Sequence, residues 1–396
     1  MTSLMNNTHE FPEPPPQALA VSRRLAALIR TEISAAGGSI PFSRYMELCL
    51  YAPGLGYYSG GLVKFGPRGD FVTAPEISPL FGRCLARCCS AVFEALGEGD
   101  ILEFGAGSGR LAADLLGELG AQCSLPARYI ILERSAVLKQ RQQDLLRQRC
   151  PHLFSRVVWL ENLPETGFRG VMLGNEVLDA LAVERFRWNG ETMELLHVGC
   201  QGEAFELRWH VVQDDALQAA LQKLLDPAAV AAGYVSEFSP TLAPWLRTVA
   251  DLLEQGLLLL IDYGCPRHEY YHPQRANGTL TCHYRHRWHE DVLLWPGLQD
   301  ITADVDFTAV AEAAAAARLD VSGYTTQAYF LLDCGLDQFL QAAGPATMTS
   351  GLKQVQQAKT LILPGEMGER FKCIGLARGV EQPLPGFRGQ DFRYRL

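Results

Sequence analysis

The chain lacks a basic excess, C-x-x-C pairs, an internal repeat and any apolar run that approaches the length of a membrane span. Thirty-five Lys and Arg stand against 44 Asp and Glu, a net charge of -9. That balance argues against nucleic acid as the main partner, because neutralising phosphates needs a basic surface. The strongly apolar run Leu257 to Ile261 fits a buried strand, so no membrane association is expected. Eleven cysteines, odd in number and scattered, give no disulfide framework and read as reduced residues. The first 16 residues are proline-rich, with acidic residues and no apolar core, and resemble neither a secretory signal nor a mitochondrial presequence. The expectation is a bacterial-type cytoplasmic protein whose residues 1–16 form a disordered leader.

What is present is organised around Asp100 to Arg110, D-I-L-E-F-G-A-G-S-G-R. Ile101, Leu102 and Phe104 make a buried strand, and Leu111, Leu115, Leu116 and Leu119 follow at helical spacing. Between them lie Gly105, Gly107 and Gly109, glycines of the kind needed where backbone turns sharply beside a ligand. The spacing G-x-G-x-G departs from the dinucleotide fingerprint, and Glu103 sits where a carboxylate reaches a cationic or amino group. The next strand, Tyr129 to Leu132, ends at Glu133, placed for two ribose hydroxyls. Together these features suit S-adenosylmethionine better than a nicotinamide cofactor.

Elsewhere the chain gives a helical region over 17–97 and an α/β domain over 98–396, with insertions at about 183–232 and 265–306. Within Gly66 to Gly82, Asp70, Thr73 and Glu76 read either as turn and cap residues or as a lid over the cofactor. A fourth strand ends in Asn175, Glu176 and Asp179, at the edge where doubly wound sheets bind ligands. The plainer reading of these is a helix start, with Asn175 as its cap. Asn189-Gly190 predicts a hairpin turn in the first insertion, and an apolar patch on that hairpin is a possible homodimer contact. Residues 265–300 read as irregular, and five of nine histidines crowd into 268–289 of them, but their spacing matches no zinc pattern and no metal is expected. Asp306 reads as a helix cap.

Seven motifs in order, G-D-F-V-T-A-P-E-I-S-P-L-F-G, E-F-G-A-G-S-G-R-L, N-E-V-L-D-A-L, E-F-S-P, I-D-Y-G, P-G-L-Q-D-I-T-A-D-V-D-F and M-G-E-R-F-K, resemble the MidA-type family. These are class I methyltransferases that include the mitochondrial complex I assembly factor, a protein arginine methyltransferase, and the resemblance spans roughly residues 40 to 375. It implies a Rossmann-like seven-stranded α/β sheet, S-adenosyl-L-methionine as cofactor and a protein arginine as acceptor, with a respiratory-complex subunit as the kind of partner. It places Gly69, Asp70, Thr73, Pro75 and Glu76 near the cofactor, Glu103, Gly105, Gly107 and Gly109 in the glycine motif, and Glu133 on the ribose. The chain departs from the family at Ala106 and Ala182, where proline is usual, and at Asp304, where histidine is usual. An arginine acceptor needs a carboxylate clamp, for which Glu176 is the candidate. Asn175 would orient it, and Asp179, Asp262 or Asp306 would be the second carboxylate. The same scaffold would also serve a small-molecule methyltransferase or a cofactor-binding assembly factor without turnover.

Overall fold

The computed structural model describes residues 11–60, 72–165, 167–342 and 348–396, so Gly69 and Asp70 lie outside the described residues. Helices α1 (Pro16–Ala35) and α2 (Phe42–Tyr51) flank strand β1 (Ser39–Pro41). A single turn, α3 (Ala74–Ile77), leads into α4 (Pro79–Leu96). Strands and helices then alternate: β2 (Asp100–Phe104), α5 (Arg110–Ala121), β3 (Tyr129–Leu132), α6 (Ala136–Arg149), β4 (Val157–Leu160) and β5 (Phe168–Asn175). The first insertion is β6 (Glu184–Trp188), β7 (Met193–Gln201), β8 (Ala204–Val211), α7 (Asp215–Leu224) and β9 (Tyr234–Phe238). Helix α8 (Leu242–Leu252) and β10 (Leu253–Cys265) return the chain to the sheet. The second insertion holds α9 (Arg267–Tyr270), β11 (Thr281–Tyr284), β12 (Arg287–His289), β13 (Asp300–Thr302) and β14 (Val305–Asp306). The chain closes with α10 (Phe307–Ala316), β15 (Asp320–Thr326), α11 (Gln327–Asp333), α12 (Leu336–Ala342), α13 (Met348–Ile362), α14 (Met367–Arg370) and β16 (Phe371–Arg378).

Seven strands form the main sheet in the order β15-β16-β10-β5-β2-β3-β4, with β14 added beside β10. The neighbours from β10 to β4 run parallel, and β16 is antiparallel to both β10 and β15. This is the Rossmann-like arrangement of a class I methyltransferase. Period-two alternation divides the strand side chains between two cores. Ile101, Val171, Leu173, Leu257, Leu259 and Ile261 join α4 and α5 on one face, while Leu102, Met172, Leu258 and Leu260 join α8 and α10 on the other. All the carboxyl ends of the parallel strands therefore open on one edge, and the site forms there.

The insertions add two further sheets. Strands β6, β7, β8 and β9 build a separate sheet that also takes in β1, and α1 and α2 share a core with it through Ile29, Tyr45, Met46, Leu196 and Val198. The Asn189-Gly190 turn forms as expected, with Asn189 Oδ1 accepting from the Glu191 and Thr192 amides, each at 2.9 Å. Leu207 and Val211 are exposed on β8, which pairs with the other edge of β7. The stretch read as irregular loop instead contains a small sheet, β12-β11-β13. Its strands are three or four residues long and interleaved with charged residues, too short for periodicity to show.

Candidate active site

A cavity of about 860 Å³ lies over the carboxyl ends of β2, β3, β5 and β10. It is lined by Thr73, Glu76, Glu103, Gly105, Gly107, Glu133, Asn175, Glu176 and Asp179, so the structure brings these sequence candidates into one space. Gly109 stands immediately behind the loop as the N-cap of α5. Among the described residues no group of His, Cys, Asp or Glu is placed to hold a metal ion.

On the β2–β3 side the three glycines all have positive φ, 63°, 52° and 84° in order. A Cβ is disfavoured in that conformation, which leaves bare backbone facing the cavity. Glu103 is 3% exposed and accepts a 2.8 Å hydrogen bond from the Tyr129 hydroxyl. Burial pushes its carboxyl up to about 7, against the opposing effect of that bond. Glu133 accepts from the Ser135 amide at 2.7 Å and from Gln142 Nε2 at 3.0 Å.

Helix α3 closes over the loop. Thr73 is its N-cap by position but makes no side-chain cap bond, and Glu76 does not complete a capping box. Glu76 instead accepts from the Ser108 hydroxyl and pairs with Arg110 Nε at 3.1 Å. Arg110 also donates to the Glu76 carbonyl at 3.3 Å. Glu76 thus ties α3 to the glycine loop rather than capping a helix. Ser108 and Arg110 lay inside the glycine motif, but nothing in their spacing marked Glu76 as their partner.

On the β5–β10 side the expected helix start after Gly174 is absent. Asn175 ends β5, Glu176 takes φ 54°, and its amide donates to Ile261 carbonyl at 2.9 Å. Such a conformation in a non-glycine residue costs about 1–3 kcal/mol and needs an external hold. Asp262 supplies it: Oδ2 accepts from the amides of Val177, Leu178 and Asp179 at 3.1, 2.8 and 3.2 Å. Asp262 is thus spent on backbone, and Asp306 caps α10 and pairs with Arg267 at 3.1 Å. Neither lines the cavity, so neither is positioned as the second carboxylate. Asp262→Ala leaves three amides without their acceptor and is expected to lower stability by about 2–4 kcal/mol. Urea denaturation measures this, and Asp262→Asn, which keeps an acceptor oxygen, should lose less.

Asn175 Nδ2 donates to Glu176 Oε1 at 2.9 Å. Burial, reinforced by the charges of Asp179 and Asp300, pushes Glu176 up to about 8. Asp179 accepts from the Tyr263 hydroxyl at 2.6 Å, and burial raises its carboxyl as well. Asp300 accepts from the Tyr58 hydroxyl at 2.9 Å. Tyr58 stacks on Tyr51 with centroids 5.5 Å apart, and Tyr51 donates to the Ala180 carbonyl at 2.9 Å. Tyr51, Tyr58 and Tyr263 were not foreseen as site residues. The first two come from the glycine-tyrosine loop before residue 61, far in sequence from the acids they meet.

Residues 84–325, more than half of the chain, match a family model for S-adenosyl-L-methionine-dependent methyltransferases. The chain belongs to that family. A protein from Burkholderia thailandensis, solved bound to S-adenosyl-homocysteine, is 45% identical, covers 98% of this chain and 100% of its own, and superposes with a TM-score of 0.94. The mitochondrial protein arginine methyltransferase NDUFAF7 homolog of Drosophila melanogaster is 29% identical over 98% of this chain and 93% of its own. Its Caenorhabditis elegans counterpart is 28% identical over 86% and 83%.

The protein is an S-adenosylmethionine-dependent methyltransferase, and the residues present fit that cofactor: a glycine cradle that bars Cβ atoms, a buried carboxyl at Glu103 and an acid at the end of β3. The cytoplasmic expectation is corrected, because these curated relatives are named as mitochondrial proteins. That expectation rested on reduced cysteines, which do not distinguish one reducing compartment from another, and on the composition of residues 1–16, in which no mitochondrial presequence was read.

Proposed function

We propose that this methyltransferase methylates an arginine side chain of a partner protein. The observation that supports the reading is a cavity wall made of acceptors. Asn175 Oδ1 and Asp179 Oδ1 are buried without a hydrogen-bond partner among the described residues, and the cations that line the same cavity, Arg110 and Arg370, form no ion pair with Glu176 or Asp179. Guanidinium is the complementary group, with five N–H donors and no acceptor. The names of the mitochondrial relatives agree with this acceptor.

S-adenosylmethionine supplies an activated methyl group on a sulfonium. Glu103, the Gly105–Gly109 loop and Glu133 would hold it, with α3 excluding water. Guanidinium keeps its proton at any working pH, with a pKa above about 12, and is a poor nucleophile. Glu176 would accept paired hydrogen bonds from it, steer one nitrogen, and take the proton that nitrogen loses as it gains the methyl group and S-adenosylhomocysteine leaves, with Asn175 fixing the carboxylate. Asp179, held by Tyr263, would be the second acceptor, beside Asp300 on the tyrosine wall. Incubation with methyl-labelled cofactor and either co-expressed respiratory-complex subunits or a panel of small acceptors tests the class of substrate. Label confined to the small acceptors would sink the proposal.

A pH dependence follows. The acceptor cation binds the ionised carboxylate, while Glu176 in the free enzyme holds its proton up to about pH 8. The ratio kcat/KM for the acceptor should therefore climb as pH rises and level off above about 8. A profile that is flat from about pH 6 to about pH 9 would mean that Glu176 does not ionise to bind.

A further inference from the structure

Gln142 sits on α6, in a helix with little apolar character, yet it is fully buried. A buried primary amide must satisfy two N–H donors and an acceptor oxygen, and here every one has a partner. The indole of Trp159 is donor-only and gives its Nε1–H to Gln142 Oε1 at 2.9 Å. That contact settles which way the amide faces. Both protons of Nε2 are then directed at the ligand side: one to the Gly107 carbonyl at 3.0 Å, the other to Glu133 Oε2 at 3.0 Å. The stem of the same side chain backs Gly109, where an added Cβ would lie 3.2 Å from its Cγ.

We propose that Gln142 is a positioning residue that couples the glycine loop to the ribose-binding acid. The inference rests on the reading of Glu133 as that acid. The Ser135 amide and Gln142 each hold one oxygen of Glu133, so the carboxylate plane is fixed before any ligand arrives. Through the Gly107 carbonyl the same amide group fixes the loop backbone. One side chain thus sets the spacing between the two parts of the cofactor grip, and Trp159 on β4 keeps it from turning over. A merely space-filling residue would not need this orientation.

The test is calorimetric titration of S-adenosylhomocysteine and its 2′-deoxy analogue into wild type, Gln142→Leu and Glu133→Gln. Gln142→Leu should bind S-adenosylhomocysteine roughly tenfold more weakly. Removing the 2′-hydroxyl should cost it much less than it costs wild type, because the grip is already misplaced. In steady state its KM for S-adenosylmethionine should rise while kcat at saturation stays near wild type. Gln142→Glu gives a signature that a folding defect does not. Ionised, it repels Glu133 and cannot donate to Gly107; protonated, it can donate to one of them. Its affinity relative to wild type should therefore recover as pH falls from about 8 to about 6. Equal losses on 2′-hydroxyl removal in Gln142→Leu and wild type would overturn the coupling. Failure of the ribose reading shows separately, as Glu133→Gln binding both ligands as wild type does.

Discussion

Glu176→Gln should lower kcat by about 10²–10³-fold while leaving the affinity for S-adenosylhomocysteine within about twofold of wild type. The amide has the same shape and can still accept the Asn175 bond, so the loop at φ 54° should hold. What changes is the face toward the acceptor: an N–H₂ donor would stand where guanidinium offers only donors. The rising limb of the pH profile should disappear with the carboxyl that titrates near 8. Stopped assays with labelled cofactor give kcat, and calorimetry gives the affinity. Loss of cofactor binding in parallel with turnover would move Glu176 to the cofactor side of the site.

Gly107→Val acts at the other end of the cavity and should weaken S-adenosylhomocysteine binding by about a hundredfold or more. Gly107 has φ 52°, a conformation strongly disfavoured for a β-branched side chain, and its backbone lines the cavity. The variant must either strain the loop or shift it, and a shift also disturbs the Gly107 carbonyl that Gln142 holds. Calorimetric titration reads the loss directly, and a near-native melting temperature would show that the fold survives. Retained micromolar binding would place the cofactor away from this loop.

The sheet was legible because its strands are apolar, buried on both faces and bounded by glycine and charge. Leu257 to Ile261 and Ile101 to Phe104 announce themselves in this way, and so does the glycine loop between β2 and α5. The acids at strand ends, Glu103, Glu133 and Glu176, were legible because topology places carboxyl ends together. What escaped were residues whose roles depend on a partner distant in sequence. Asp262 looks like a strand-end acid, but its oxygen holds amides 83 to 85 residues earlier. Tyr58 meets Asp300 across 242 residues. Gln142 is one polar residue in a polar helix, and only its burial against Trp159 and Glu133 sets it apart. Thr73 and Glu76 satisfied the local pattern of a cap, and a tertiary pairing with Ser108 and Arg110 displaced it.

If the acceptor-lined end of the cavity directs methylation to arginine, the transferred methyl group must end on a guanidinium nitrogen. Methyl-deuterated S-adenosylmethionine, wild-type enzyme and Glu176→Gln would be presented with the same partner proteins, and the labelled residues mapped by tandem mass spectrometry. Deuterated methyl is expected on arginine nitrogens with wild type and none above background with the variant. Methyl on lysine or on carboxylate side chains, or equal labelling by both enzymes, would contradict it.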